Sequence, residues 1–171
     1  MEKLFMKLFR TFLVVVLFGN AAAAEGLAAP KGDILLTVTG DIGQHNAGEA
    51  AQFDRAMLMK LGTREVVTHT IWTEGPQSFV GVPLKTFAMA LGIKDGTIAA
   101  TAVNDYSVNI PWSDVEEDFA LLALDRNGEP MTVRDKGPIW LIFPYDDDPR
   151  FRQETYHARS IWQLQRIDIK R

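Results

Sequence analysis

Apolar residues in this chain come in short runs, each stopped by Gly, Pro, Asn or Asp, and that punctuation commits it to many short strands. Residues 33–39 are β-branched and apolar and halt at Gly40-Asp41. Residues 65–72 alternate and are rich in β-formers. Two short runs, 97–103 and 106–110, flank the turn-prone pair Asn104-Asp105. Residues 119–124 lead into a hairpin turn at Asp125-Arg-Asn-Gly128, and residues 138–143 are almost continuously apolar, the mark of a buried strand. Residues 160–169, with Ile161, Trp162, Leu164, Ile167 and Ile169, close the domain. The helical period is rarer. Phe53, Met57 and Leu61 recur at four-residue spacing before Gly62, and Pro83 precedes Leu84, Phe87, Ala88 and Leu91 with Gly92 as the stop. Ser113, with Glu116 three residues on, reads as a helix cap. Residues 25–32 form a short leader and 44–50 a polar loop. No repeat, linker or coiled coil interrupts the pattern, which predicts one α+β domain over residues 25–171.

Residues 1–24 read as a cleavable signal peptide. Lys3, Lys7 and Arg10 precede an apolar stretch from Phe12 to Phe18, and Ala22-Ala23-Ala24 supplies the small-residue cleavage site. That predicts a periplasmic protein. Cleavage would remove three basic side chains and Glu2 from totals of 18 Lys+Arg and 22 Asp+Glu, leaving a formal charge of −6. An acidic chain without a basic stripe is not a nucleic-acid binder. There is no cysteine, so no disulfide staples an exported form and packing alone must hold it.

Catalytic templates match poorly. The sequence has no cysteine nucleophile, no Gly-x-Ser-x-Gly elbow, no phosphate loop and no His-Glu-x-x-His. His45, His69 and His157 lack metal-ligand spacing. Asp146-Asp147-Asp148 with Glu154 and His157 has the residue types for a hard cation but no EF-hand register, so it reads as a solvated loop. Glu116-Glu117-Asp118 reads as an exposed helix face. The aromatics say more. Trp140 sits in the most apolar run and belongs to the core, whereas Trp72 precedes the polar loop Thr73-Glu74-Gly75-Pro76. An indole at a strand end facing such a loop is a platform for a flat heterocycle. His69 lies close by in sequence, and Arg159 stands before the final strand as a charged fork.

Several segments together resemble the molybdopterin-binding domain of sulfite-oxidase-like enzymes. Phe79-Val-Gly-Val-Pro-Leu84 looks like its Phe-x-Gly-Val-Pro-Leu segment, and Asn104-Asp105-Tyr106 with Ile110-Pro111 like its Asp-Gly-Tyr…Pro segment. Gly128-Glu129-Pro130, Gly137-Pro138 through Pro144, and the closing residues 160–169 match further stretches in the same order. The resemblance covers about residues 66–169 and implies that fold: mixed sheets or a barrel of short strands with a few short helices. Two departures stand out. The cysteine that ligates molybdenum in those enzymes is missing, and Trp140 stands where they tend to carry arginine; thiolates are the soft ligands such a metal favours. Phe53 to Leu58 and Ser160-Ile-Trp-Gln-Leu164 look closer to a second group, periplasmic pterin-binding proteins that work with membrane-bound diguanylate cyclase/phosphodiesterase sensors.

That resemblance implies a non-catalytic protein that binds a reduced pterin without molybdenum and signals to the periplasmic domain of such a sensor. A carboxylate can accept from the ring N–H and exocyclic amine of a pterin together. Asp105 is the candidate and Glu74 the reserve, with Trp72 and Trp162 as stackers, Tyr106, Tyr145 and Arg159 as edge contacts, and His69 a further candidate near the pocket. Two alternatives stay open: a molybdenum oxidoreductase whose metal has no protein thiolate, and an interaction module with a vestigial pocket.

Overall fold

Leu36 and Val38 are buried, Thr37 between them is half-buried and Thr39 is exposed, the alternation expected of a strand with one face on a core. They lie on β1 (Leu36–Gly40), near the middle of a five-stranded sheet. The computed structural model describes residues 26–171, so the signal-peptide expectation for residues 1–24 lies outside them. The order across this first sheet is β2 (Ala51–Phe53), β1, β10 (Leu164–Lys170), β5 (Thr97–Ala102) and β6 (Ser107–Pro111). The first and last strands run parallel side by side, Val38 opposite Ile167; the other pairings are antiparallel. The second sheet runs β3 (Arg64–Thr68), β4 (Gln77–Pro83), β7 (Leu121–Arg126), β8 (Glu129–Pro130), with β9 (Trp140–Ile142) also on β7. These are two open sheets, not a closed barrel, in an α+β fold. One continuous apolar cluster draws on both, from Leu36 and Ile167 to Phe79, Leu122 and Trp140.

Helices follow the sequence where the apolar period is complete. α2 (Leu84–Ala90) buries Leu84, Phe87 and Ala88 and ends at Gly92 as expected, with Pro83 just outside its first turn at φ −55, ψ 133. α1 (Arg55–Lys60) is shorter than its expected stripe. Phe53 belongs to β2, because Asp54 adopts an extended conformation and caps the helix by accepting from the Met57 N–H at 2.8 Å. The same carboxylate accepts from the N–H groups of Lys31 and Gly32, pinning the leader. Those backbone donors, Met57 first, hold the Asp54 carboxyl below its ordinary range. Ser113 is no cap: α3 (Trp112–Glu116) begins one residue earlier, with Pro111 at the boundary.

Three further departures have local causes. The expected strand 65–72 ends at Thr68, because Thr70 and Thr73 pair their hydroxyls at 2.8 Å and Trp72 N–H donates to Thr70 Oγ1 at 3.1 Å. Such side-chain bonds offer the backbone an alternative to the ladder. β4, unannounced by the sequence, is interrupted in appearance by Gly81 and Pro83. A 3₁₀ turn (Pro149–Arg152) and α4 (Glu154–Arg159) follow the acidic run, and Asp148 caps the former by accepting from Arg150 N–H at 2.9 Å. The hairpin expected at Asp125–Gly128 is there: Asn127 and Gly128 have φ of 54 and 84, the two positive values a tight right-twisted turn needs. Among the described residues no helix is long and apolar enough to cross a membrane.

Candidate functional site

Three loops that are far apart in sequence meet at one cavity of ≈ 290 Å³, lined by Trp72, Ala102, Asn104, Tyr106 and the stretch from His157 to Trp162 without Arg159. The first loop leaves β3 and carries Trp72. It is anchored by Asp146, whose carboxylate takes both the backbone N–H and the Nδ1 of His69 at 2.8 Å; those bonds hold the Asp146 carboxyl below its ordinary range. Second comes the β5–β6 turn. Asn104 Oδ1 accepts from Tyr106 N–H at 3.2 Å, and Asp105 takes a left-handed φ of 66, a conformation short polar side chains tolerate. The third segment joins α4 to β10. Ser160 Oγ donates to the Tyr156 carbonyl at 2.7 Å and takes the Tyr145 hydroxyl at 2.5 Å. Tyr145 is buried, and desolvation pushes its phenol up to about 12, so it stays protonated.

The wall is aromatic. Trp72 stands 5.6 Å from Trp162 and 5.6 Å from His157, centroid to centroid, with interplanar angles of 76° and 75°. Trp140 backs both indoles at 5.7 and 6.3 Å, and Tyr145 meets Trp72 at 6.3 Å. Lys136 Nζ sits 4.3 Å from the Trp162 ring centroid, a cation–π contact that holds that indole. Because the two cavity indoles are nearly perpendicular, a flat ligand stacks on one and meets the other edge-on. Polar groups in the lining are Asn104, Tyr106, His157 and Ser160; it contains no Lys, Arg, Asp, Glu or sulfur.

Of the residues expected from sequence, Trp72, Tyr106 and Trp162 line the cavity and Tyr145 lies directly behind it. Asp105, Glu74, His69 and Arg159 do not line it. The Asp105 carboxylate is 80 % exposed and pairs with Arg166 across the sheet at 2.5 Å. Glu74 sits in the loop whose carbonyls hold the Gln77 amide. His69 is spent on Asp146. Asn104, His157 and Ser160 went unrecognised; Asn104 and His157 read as turn and acidic-loop residues, and no periodicity links positions so far apart.

Arg159 has a structural task. Its guanidinium meets the Asp114 carboxylate at 2.8 Å, and Asp114 is 5 % exposed. Burial raises the Asp114 carboxyl above its ordinary range, and Arg159 opposes that rise. A raised carboxyl favours folding below its unfolded value and loses that contribution as pH rises through the folded one. Arg159→Ala is therefore expected to cost about 1–3 kcal/mol at pH 7, from the charge left unpaired, and less at pH 5, where Asp114 can take up a proton. Urea denaturation at both pH values checks it; an equal loss at each would show that Asp114 is not the group left unpaired.

The lining has no cysteine thiolate for molybdenum and no Lys or Arg to meet the phosphate of a molybdopterin, while its indoles suit the flat heterocyclic part of such a cofactor. Among the described residues no group of three or more His, Asp or Glu is placed to hold a metal ion. No curated protein matches the chain. Residues 51–146, more than half of it, match the family model described as the oxidoreductase molybdopterin binding domain, a stretch that includes Trp72, Asn104 and Tyr106 but stops before His157 and Trp162. The chain thus belongs to the oxidoreductase molybdopterin-binding domain family, of the sulfite-oxidase type.

Proposed function

We propose that this protein binds a reduced pterin, without molybdenum, in the cavity between Trp72 and Trp162, and that it acts as a periplasmic ligand sensor and not as a catalyst. The observation that carries the reading is the chemistry of the lining: a perpendicular pair of indoles with an amide, an imidazole and two hydroxyls, and no carboxylate, Lys, Arg or sulfur, in a domain whose family cofactor is a pterin. A cavity of ≈ 290 Å³ is at the small end for ligand pockets, suited to one bicyclic ring. Asn104 has an amide donor for the pyrimidine edge and Tyr106 a hydroxyl, while Ser160 Oγ already donates to the Tyr156 carbonyl and takes the Tyr145 hydroxyl. In this reading the partner is the periplasmic domain of a membrane-bound diguanylate cyclase/phosphodiesterase. Family membership favours one rival, a molybdenum oxidoreductase.

The test is to purify the protein natively, denature it, oxidise the supernatant mildly and record pterin fluorescence, with elemental analysis of the same sample. A pterin near one per chain with negligible molybdenum is the expected result. Stoichiometric molybdenum would overturn the sensor reading. No released pterin, combined with no binding of added tetrahydropterin, would overturn the ligand.

A further inference from the structure

β3 is an edge strand: among the described residues it pairs with β4 on one side and with no strand on the other. Its outward groups can be assigned from the register. Ser78 turns both its N–H and its carbonyl toward Asn127, at 3.0 and 2.7 Å, away from β3. Val67 lies opposite Ser78, so its own N–H and carbonyl point outward, and two residues back those of Glu65 do the same. Among the described residues these four groups have no hydrogen-bond partner. The other edges are less available. β2 and β8 are three and two residues long, α4 packs along β6, and the outer side of β9 is taken by Ile161, whose carbonyl accepts from Leu141 N–H at 2.9 Å.

Natural edges are blunted by lysine, proline or a bulge, and β3 has none of these. Its one cation, Arg64, is drawn off to the Asp118 carboxylate at 3.3 Å and the Asp118 carbonyl at 2.8 Å. Val67 is left 57 % exposed. Beside the edge runs a groove of ≈ 440 Å³ whose far wall includes Glu117, Asp118, Phe119 and Asp147. Arg150 neutralises Glu117 at 2.9 Å; Glu65 and Asp147 have no ion pair among the described residues. The groove therefore holds a surplus of negative charge next to a row of unused backbone donors and acceptors.

We propose that this edge docks an extended segment of a partner protein with lysine or arginine at alternate positions, which adds a strand to the second sheet beside β3. Backbone groups of Glu65 and Val67 provide the ladder, Val67 the apolar contact, and Glu65 and Asp147 select the basic side chains. A second copy of this chain would bring the same carboxylates into the groove and is disfavoured. The proposal stands whether or not a pterin fills the cavity.

The probe is a fluorescein-labelled heptapeptide alternating lysine and valine, followed by anisotropy, with a glutamate-for-lysine version as control. Val67→Pro deletes one outward donor and leaves the bonds to β4 untouched; it is expected to weaken binding about tenfold, on the usual net value of edge hydrogen bonds, with little change in melting temperature. Amide exchange at Glu65 and Val67 is expected to slow when the lysine peptide is added. Equal binding of the glutamate peptide, or undiminished binding by Val67→Pro, would overturn the proposal, as would protection of both amides by self-association of the free protein. Should Val67→Pro not fold, Val67→Lys keeps the donor and adds a repelling cation, and the same weakening is expected of it.

Discussion

Replacing Gly81 by alanine is expected to remove most of this protein's stability. A β-carbon at that position would lie 2.0 Å from the Leu122 carbonyl oxygen and 2.6 Å from the Ala123 α-carbon. Both are backbone atoms in the neighbouring strand, so no flexible side chain can swing aside. The β4–β7 register shifts between Val80 and Gly81, and at that irregularity the absent side chain is what lets the strands approach. Separating them breaks the central pairing of the second sheet, and among the described strands β3 pairs with β4 alone. A loss of about 4–5 kcal/mol or more is expected, a drop in melting temperature of roughly 10–15 °C for a domain of this size. Gly75→Ala is the control. Its added carbon meets nothing within 4 Å, and its cost comes only from a φ of +63, about 1–2 kcal/mol. Calorimetry on the pair decides the matter: a Gly81→Ala protein that melts no lower than Gly75→Ala would refute the close-approach account.

Gly81 also shows what was legible in the sequence. Its place in Phe79-Val-Gly-Val-Pro-Leu84 carried the family resemblance, yet the same glycine and Pro83 hid the strand it lies on, because both are depleted in strands. α2 could be read because four apolar residues keep a helical period, and the Asn127-Gly128 turn because its chemistry is local. α4 could not. Its six residues have one large apolar side chain, Tyr156, and that ring is held by Phe143 and Phe151, each 5.0 Å away. The helix owes itself to tertiary packing, which no window of sequence contains. The cavity divides in the same way. Trp72 stands out against the polar loop beside it, whereas the charge that singles out Asp105 in the sequence is claimed by Arg166, 61 residues away. Asn104, His157 and Ser160 acquire their meaning only when β5–β6, α4 and the loop after β3 converge.

Trp72 is the residue on which binding should depend most. Its four ring neighbours, Trp140, Tyr145, His157 and Trp162, meet it at interplanar angles of 64° to 76°, so none lies parallel to it. Trp162, by contrast, already stacks against the Lys136 ammonium. Both indoles line the cavity at 76° to each other, so a flat heterocycle that stacks on Trp72 meets Trp162 edge-on. Trp72→Ala is expected to weaken pterin binding roughly 10- to 100-fold, the scale of one lost aromatic–base stack. Truncation also strips contacts from four rings, so the protein should melt several degrees lower, a cost the polar setting of Trp72 in the sequence did not suggest. Trp72→Phe separates the two effects. It keeps an aromatic plate and most edge contacts, and should restore the melting temperature while recovering only part of the affinity. Titration of each protein with tetrahydropterin, read by quenching of the remaining tryptophans, provides the comparison. If the alanine variant binds as tightly as the parent once both are shown to be folded, the pterin does not stack on Trp72 and its site must be sought elsewhere in the molecule.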